Sequence, residues 1–236
     1  MNVLAVGAHP DDVEALCAGT LARMVQRGDE VTAAHVALGD AGSFELDAVS
    51  TAKMRAREAQ DAADILGINY QRMSIDISDC RVNSADEHQR EAVAELVRVT
   101  KPDLVITHSP EDYMSDHNEV SKLVFGATFA ASLPNYETHS NFHSKVPALY
   151  YMDTLAGVGF QPSEFVDISE TIELKLTALA THRSQLTWLK EHDGVDMVEQ
   201  SKSVARFRGL QCQVDYAEGF TPCRTGLRTF SYRLLP

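Results

Sequence analysis

The sequence predicts an α/β fold: a Rossmann-like open, mostly parallel sheet with helices on both faces. Three observations carry that expectation. Short apolar runs alternate with longer amphipathic stretches through the first half of the chain. The spacing between successive apolar runs leaves room for a crossover helix, which right-handed parallel connections require. Two dense charged segments, HPDD at 9–12 and SPEDYMSDH at 109–117, each directly follow such a run, where open α/β sheets gather their ligands.

The elements follow in order. NVLAVGA (2–8) reads as a buried strand and 12–27 as a helix, since Val13, Leu16, Cys17, Leu21, Met24 and Val25 form an apolar stripe at helical spacing. Gly28 ends that helix. EVTAAHVAL (30–38) is the next strand, 50–66 the next helix, closing at Gly67. YQRMSI (70–75) reads as strand, 86–100 as helix and DLVITHS (103–109) as strand. Beyond residue 132 the pattern loosens: strands are expected at 148–152 and 165–168, and a helix at 170–191 with the only tryptophan, Trp188. RTFSYRLL (228–235) is expected to close the sheet. LPNYETHSNFHSKVP (133–147) reads as a loop or lid. With no repeat, low-complexity tract or linker, residues 1–236 are expected to form a single domain.

A chain of 236 residues, 44% hydrophobic and 23% charged, can bury a large core. Its formal net charge of −13, with no block of Lys and Arg, argues against nucleic acid or an anionic membrane surface as partner. Cys17, Cys80, Cys212 and Cys223 are scattered without a C-x-x-C pair, as expected in a reducing compartment. There is no basic leader followed by a sustained apolar stretch, and no run long enough to cross a bilayer. A cytoplasmic location is the expectation.

In HPDD, His9 and Asp12 stand three apart where strand becomes helix, so an imidazole nitrogen and a carboxylate oxygen can share one cation, and zinc accepts both. Asp11 then projects differently, and a free carboxylate beside a metal-activated water is suited to act as base. On these four residues alone, an equal alternative is that Asp11 or Asp12 caps the following helix while Pro10 fixes the turn. The second anchor is DH at 116 and 117. His117 completes a His, Asp, His set with an open coordination position, and Asp116 either caps its helix or orients an imidazole through its other nitrogen. His35, His108 and His139 are expected to be satisfied core or loop residues.

The AHPDD turn, the downstream DH, MRAREAQDAADILGI and the late YAEGF together resemble the LmbE or PIG-L family of zinc-dependent N-deacetylases, especially its bacillithiol-pathway branch. The likeness runs from residue 3 to about 220. It implies one Zn2+ per chain held by His9, Asp12 and His117, with other divalent ions as substitutes, and Asp11 as general base. It further implies an N-acetylated amino sugar or conjugate as substrate, substrate contact by Arg55, and a homotrimer or hexamer.

Where many members carry a histidine thought to stabilise the oxyanion or protonate the leaving amine, this chain has Met114, and a thioether does neither well. Loss of one such donor typically costs about 2.7–4 kcal/mol; Tyr113, His182 and His108 are the candidates to replace it. Glu218 in YAEGF is expected to give structural support, and Arg206 and Gln185 to serve packing or the surface. Two rival functions follow from the same residues. A dinucleotide-binding module lacks its G-x-G-x-x-G, having G-A-H-P-D-D after the first strand. A catalytically silent metal-binding sensor or scaffold is motivated by Met114 and opposed by the intact Asp11.

Overall fold

The computed structural model describes residues 1–236. Strand β1 (Asn2–Gly7) carries only apolar residues after Asn2, and all of them are buried. It pairs in parallel with β2 (Glu30–His35) on one side and β4 (Leu104–Thr107) on the other, in registers that set Gly7 opposite His35 and Val6 opposite Thr107. With β3 (Asn69–Tyr70), β5 (Ala148–Met152), β6 (Glu164–Asp167) and β7 (Ala217–Pro222), the sheet runs β3-β2-β1-β4-β5-β7-β6. β7 alone runs against the direction of the other strands, antiparallel to both β5 and β6. Strand order switches direction between β1 and β4, and both charged segments leave the sheet there, at the crevice that open α/β sheets use for ligands.

Alternation along the strands divides the core between two faces. Val3, Ala5, Leu104 and Ile106 join a cluster with α1 (Asp12–Leu16), α2 (Ala18–Gln26), α3 (Ala48–Leu66), α6 (Ile172–Leu179) and α8 (Met197–Cys212). Leu4, Val6 and Val105 join the opposite cluster with α4 (Glu87–Thr100) and α5 (Ser115–Ala130). Each fully buried aliphatic side chain contributes about 1.5–3 kcal/mol, so the central strands are the most firmly held part of the molecule. The rim loops inherit that rigidity at their roots.

Several sequence expectations need correction. The helix expected over 12–27 is broken at Cys17, whose backbone (φ −144°, ψ 5°) leaves the helical region. The break is fed from below: Glu218 accepts the amide hydrogens of Gly19 (3.0 Å) and Thr20 (2.7 Å), and buried Lys175 donates to Glu218 (2.6 Å) and to the Ala15 carbonyl (2.8 Å). The 30–38 strand stops at His35, and the strand expected at 70–75 pairs only through Asn69 and Tyr70. The helix expected over 170–191 is divided at 180–182 into α6 and α7 (Arg183–His192).

RTFSYRLL is not a strand; the last strand is β7, which contains the AEGF of YAEGF. Helix α8 was not anticipated, because its apolar residues follow no clean stripe. Segment 133–147 is a loop but no lid: Arg98 near the end of α4 binds the carbonyls of Ala131, Leu133 and Ser140, and His143 reaches the Pro102 carbonyl. Those anchors lie at the entrance to β4, at the strand ends opposite the charged segments.

Candidate metal centre and active site

The turn after β1 is wrapped around its own carboxylate. Asp12 Oδ2 accepts the amide hydrogens of Ala8 (3.0 Å) and His9 (2.7 Å), so the side chain points back over the strand end rather than capping α1. Asp11 stands at the N-cap of α1 without a side-chain capping bond and at φ 123°, in the left-handed half of backbone space where a non-glycine residue is strained. The capping alternative is therefore not what the turn does. A Cβ on Gly7 would lie 3.0 Å from Asp12 Cβ and 3.1 Å from His35 Cδ2, which is why the strand ends on glycine.

Asp12 meets His9 and His117, and the ligand atoms of the three lie within 4.8 Å of one another. His117 Nε2 is 3.3 Å from Asp12 Oδ1, and His9 Nδ1 is 3.5 Å from Asp12 Oδ2. The remaining nitrogens each face a carboxylate. Asp116 Oδ2 lies 3.0 Å from His9 Nε2 and also accepts the Cys80 amide hydrogen (2.7 Å); Asp112 Oδ2 lies 3.2 Å from His117 Nδ1. Carboxylates on the far nitrogens fix tautomer and ring orientation in metal sites. Asp116 was expected to do this or to cap its helix. Asp112 was missed, although an aspartate five residues ahead of the histidine, in the loop that enters its helix, was the available signal.

Asp112 is itself secured, since its backbone and Asn118 exchange hydrogen bonds of 2.8 Å each and the Met114 amide donates to its Oδ1. His108, expected to be structural, stacks against His117 (3.9 Å between ring centres, 15° between planes) and its Nε2 accepts the Ala8 amide hydrogen. With Asp112 and His117 it forms a second close set of ligand atoms. His108 and His117 are wholly buried, so that set faces inward; His9, with 12% of its side chain exposed, marks the open side.

The electrostatics call for a cation. Burial, then the neighbouring Asp12 charge, pushes the Asp11 carboxyl up to about 7. Asp12 is held well below the usual range because His117 and His108 overcome the cost of burial. Burial opposes charge on His117, yet Asp12 and Asp112 raise it to about 9, and Asp116 and Asp12 likewise raise His9. Asp12, Asp112 and Asp116 thus converge on His9 and His117. Asp11 Oδ2 and His117 Nε2 are buried without a hydrogen-bond partner, and Asp112 Oδ2 faces His117 Nδ1 as a charge rather than through a hydrogen bond. Two nitrogens and one carboxylate within reach of one another fit a divalent metal ion.

The other expected residues take varied places. Arg55 is buried, donates to the Gly42 carbonyl (2.6 Å) and leaves Nε unpaired. Its stem explains Gly39, where φ is +71° and a Cβ would lie 2.7 Å from Arg55 Cδ. Met114 is the N-cap of α5 and makes no side-chain capping bond. Tyr113 is 73% exposed with its ring edge-on to His117 at 6.4 Å, whereas His182 is buried with Nε2 3.4 Å from Glu14 Oε2. Glu14, between His182 and His35, was missed, as was Asp79, which accepts the Gly39 and Ala41 amide hydrogens and lies 4.0 Å from His9. Glu218 underpins the α1–α2 break as described. Arg206 pairs with Asp215 at the surface, and Gln185 is partly buried with Oε1 unpaired.

No helix is long and apolar enough to cross a membrane. The chain is 28% identical over 228 residues to diacetylchitobiose deacetylase of Thermococcus kodakarensis, covering 92% of this chain and 81% of that protein. It is 26% identical over 219 residues to the Bacillus cereus protein named probable N-acetyl-α-D-glucosaminyl L-malate deacetylase 2, covering 90% and 95%. Among solved structures, GalB, the 4-carboxy-2-hydroxymuconate hydratase of Pseudomonas putida, superposes with a TM-score of 0.82 at 24% identity, over 99% of this chain and all of that one; that likeness speaks of fold alone. The family described as PIG-L, GlcNAc-PI de-N-acetylase, matches residues 4–128, the span that contains the HPDD turn, Arg55 and His117, and the chain belongs to it.

Proposed function

We propose that the protein is a zinc-dependent N-deacetylase that hydrolyses the amide of an N-acetylated amino sugar or its conjugate, releasing acetate and the free amine. The observation that carries this reading is the convergence of His9, Asp12 and His117 beside an unpaired, buried Asp11 carboxylate. Zinc held by His9, Asp12 and His117 would supply Lewis acidity, polarising an amide carbonyl and acidifying a water.

The chain's own residues do the rest. Asp11, lifted to about 7 by burial and by Asp12, has a proton affinity matched to accepting a proton from water near neutral pH and returning it to the departing nitrogen. Asp112 and Asp116 keep the imidazoles aimed so that no reorganisation accompanies turnover. Of the three candidates to replace the histidine absent at Met114, His108 is sealed beneath His117 and His182 is turned to Glu14. Tyr113, exposed at the mouth, is our choice as hydrogen-bond donor to the tetrahedral oxyanion. Arg55 shapes the pocket floor through Gly42 and offers its unpaired Nε to substrate. We further propose a cytoplasmic homotrimer or hexamer, which light scattering on the purified protein tests.

The decisive experiment loads the protein with zinc and follows acetate release from N-acetylglucosamine, N,N'-diacetylchitobiose and N-acetylglucosaminyl malate, with His117→Ala as control. Acetate release that disappears together with bound zinc in His117→Ala is expected. Stoichiometric zinc with no release from any of the three would make the protein a silent metal binder.

A further inference from the structure

The mouth of the centre is lined on one side by aromatic rings that the chemistry does not use. Loop 39–46 carries Phe44, which is 65% exposed. The loop is pinned beside His9: Asp79 accepts the Gly39 and Ala41 amide hydrogens, Ser43 Oγ accepts that of Leu46, and Arg55 holds the Gly42 carbonyl. Phe44 therefore sits on a fixed platform rather than a free tip. Its ring centre is 4.6 Å from that of Trp188 on α7, and Trp188 stacks on His192 at 4.4 Å and 20°.

The three separations define the shape of this cluster. Had Phe44 and His192 sandwiched the indole, the distance between them would approach the sum of the other two. It is 6.2 Å, so they meet at a corner, leaving one indole face to which neither ring is applied.

Two further contacts tie the cluster to the site. A Cβ on Gly42 would lie 3.0 Å from both Arg55 Nη2 and Trp188 Nε1, so both side chains pack against Gly42, which leaves no room for a larger residue. Glu58 of α3 accepts both the amide and hydroxyl hydrogens of Ser184, which locks α7 in place. Tyr113 feels the charges of Asp112, Asp12, Asp193 and Asp11, so it stands between the centre and the end of α7.

Charge narrows what the ledge can take. Arg55, the cation behind it, already faces Asp11, Asp79, Glu58 and Asp40, and His192 is paired with Asp193 at 2.8 Å. An anionic aglycone finds its counter-charges engaged. A pyranose ring instead presents a face of weakly positive C–H groups, which suits the negative face of an aromatic ring.

We propose that Phe44 and Trp188 form a stacking ledge for an uncharged pyranose ring joined to the N-acetylated sugar, so that neutral di- and oligosaccharides are preferred over conjugates with an anionic aglycone. This rests on the deacetylase reading for its orientation in the site, but its test does not depend on turnover. Trp188 is the only tryptophan, so its emission reports on the ledge directly.

The experiment titrates the zinc-loaded full chain with N,N'-diacetylchitobiose, N-acetylglucosamine and N-acetylglucosaminyl malate, recording tryptophan emission and, separately, acetate release. A saturable emission change with the disaccharide is expected, at concentrations about tenfold below those needed for the other two. In Phe44→Ala, an exposed position where folding is not at stake, the disaccharide midpoint should rise about tenfold, with Phe44→Tyr restoring it. Turnover of the disaccharide with unmoved emission, or a Phe44→Ala midpoint equal to the wild type, overturns the ledge while leaving deacetylation intact. Saturable emission without acetate release keeps the ledge and removes the deacetylase reading. Unmoved emission without release removes both.

Discussion

Asp112 Oδ2 lies 3.2 Å from His117 Nδ1, on the side of the ring away from Asp12. That relationship leaves Nε2 facing the cluster and sets a negative charge behind Nδ1. Asp112→Asn keeps the shape of the side chain but replaces the charge that steadies the imidazole, and zinc affinity should fall about 10- to 100-fold. Asp116→Asn should do the same through His9. Competition against a chelator of known affinity measures both; an unchanged zinc dissociation constant in Asp112→Asn would show that the contact carries no such role.

Asp11→Asn separates the proposed base from the metal. Asparagine tolerates positive φ better than most residues, so the strained turn should persist and zinc should remain bound. The carboxylate's proton transfer would be gone, lowering kcat by about 10²- to 10⁴-fold. Metal analysis paired with steady-state kinetics reads both quantities, and wild-type kcat in the metal-loaded variant would exclude Asp11 as the base.

The Lys175–Glu218 pair should be a stability determinant without chemistry of its own. Both side chains are almost fully buried and 2.6 Å apart. Lys175→Met leaves the Glu218 charge facing the interior with only backbone donors, and breaking a buried pair in this way costs about 3–5 kcal/mol. Urea unfolding of the metal-free protein measures it. A loss below about 1 kcal/mol, the level of an exposed pair, would contradict the structural role.

Acid stability offers a test on a histidine that is not among the proposed ligands. Burial pushes His35 down to about 4, and both of its ring nitrogens lack partners. A lowered folded-state value means that the unfolded chain takes up the proton first. The contribution is fully present above about 6.5, the ordinary value, and is lost as pH falls toward 4. His35→Leu removes a polar ring that satisfies no hydrogen bond, so stability at pH 7 should change by less than about 1.5 kcal/mol. Its decline between pH 6.5 and 4 should be shallower than that of the wild type. Parallel urea titrations at pH 7 and pH 5 decide; equal acid losses in the two proteins would refute it.

The fold was legible where burial forces a period. The strand around Leu4 and Val6 and the helix ending at Gly67 announce themselves because each apolar side chain has one face to occupy. What escaped were elements set by partners distant in sequence. The break at Cys17 depends on Glu218 and Lys175, and no local pattern encodes it. RTFSYRLL (228–235) pairs with no strand, because the place beside β5 is taken by residues 220–222 of β7. In the centre, His9, Asp12 and His117 were legible from spacing and strand ends, and the structure brings them together. Asp112, Asp79 and Glu14 were not, since a carboxylate that reaches an imidazole across a loop looks, in sequence, like any solvated aspartate or glutamate.

The broken helix behind the HPDD turn has a consequence for how the protein can be divided. The candidate reacting groups all lie before residue 118, yet the segment that presents them is clamped from residues 175 and 218. A fragment that ended after α5 would own the whole reagent set and none of the vice that grips it. Chemical endowment and mechanical framing are written in opposite halves of the chain, so a minimal catalyst cannot be cut from the amino-terminal half alone.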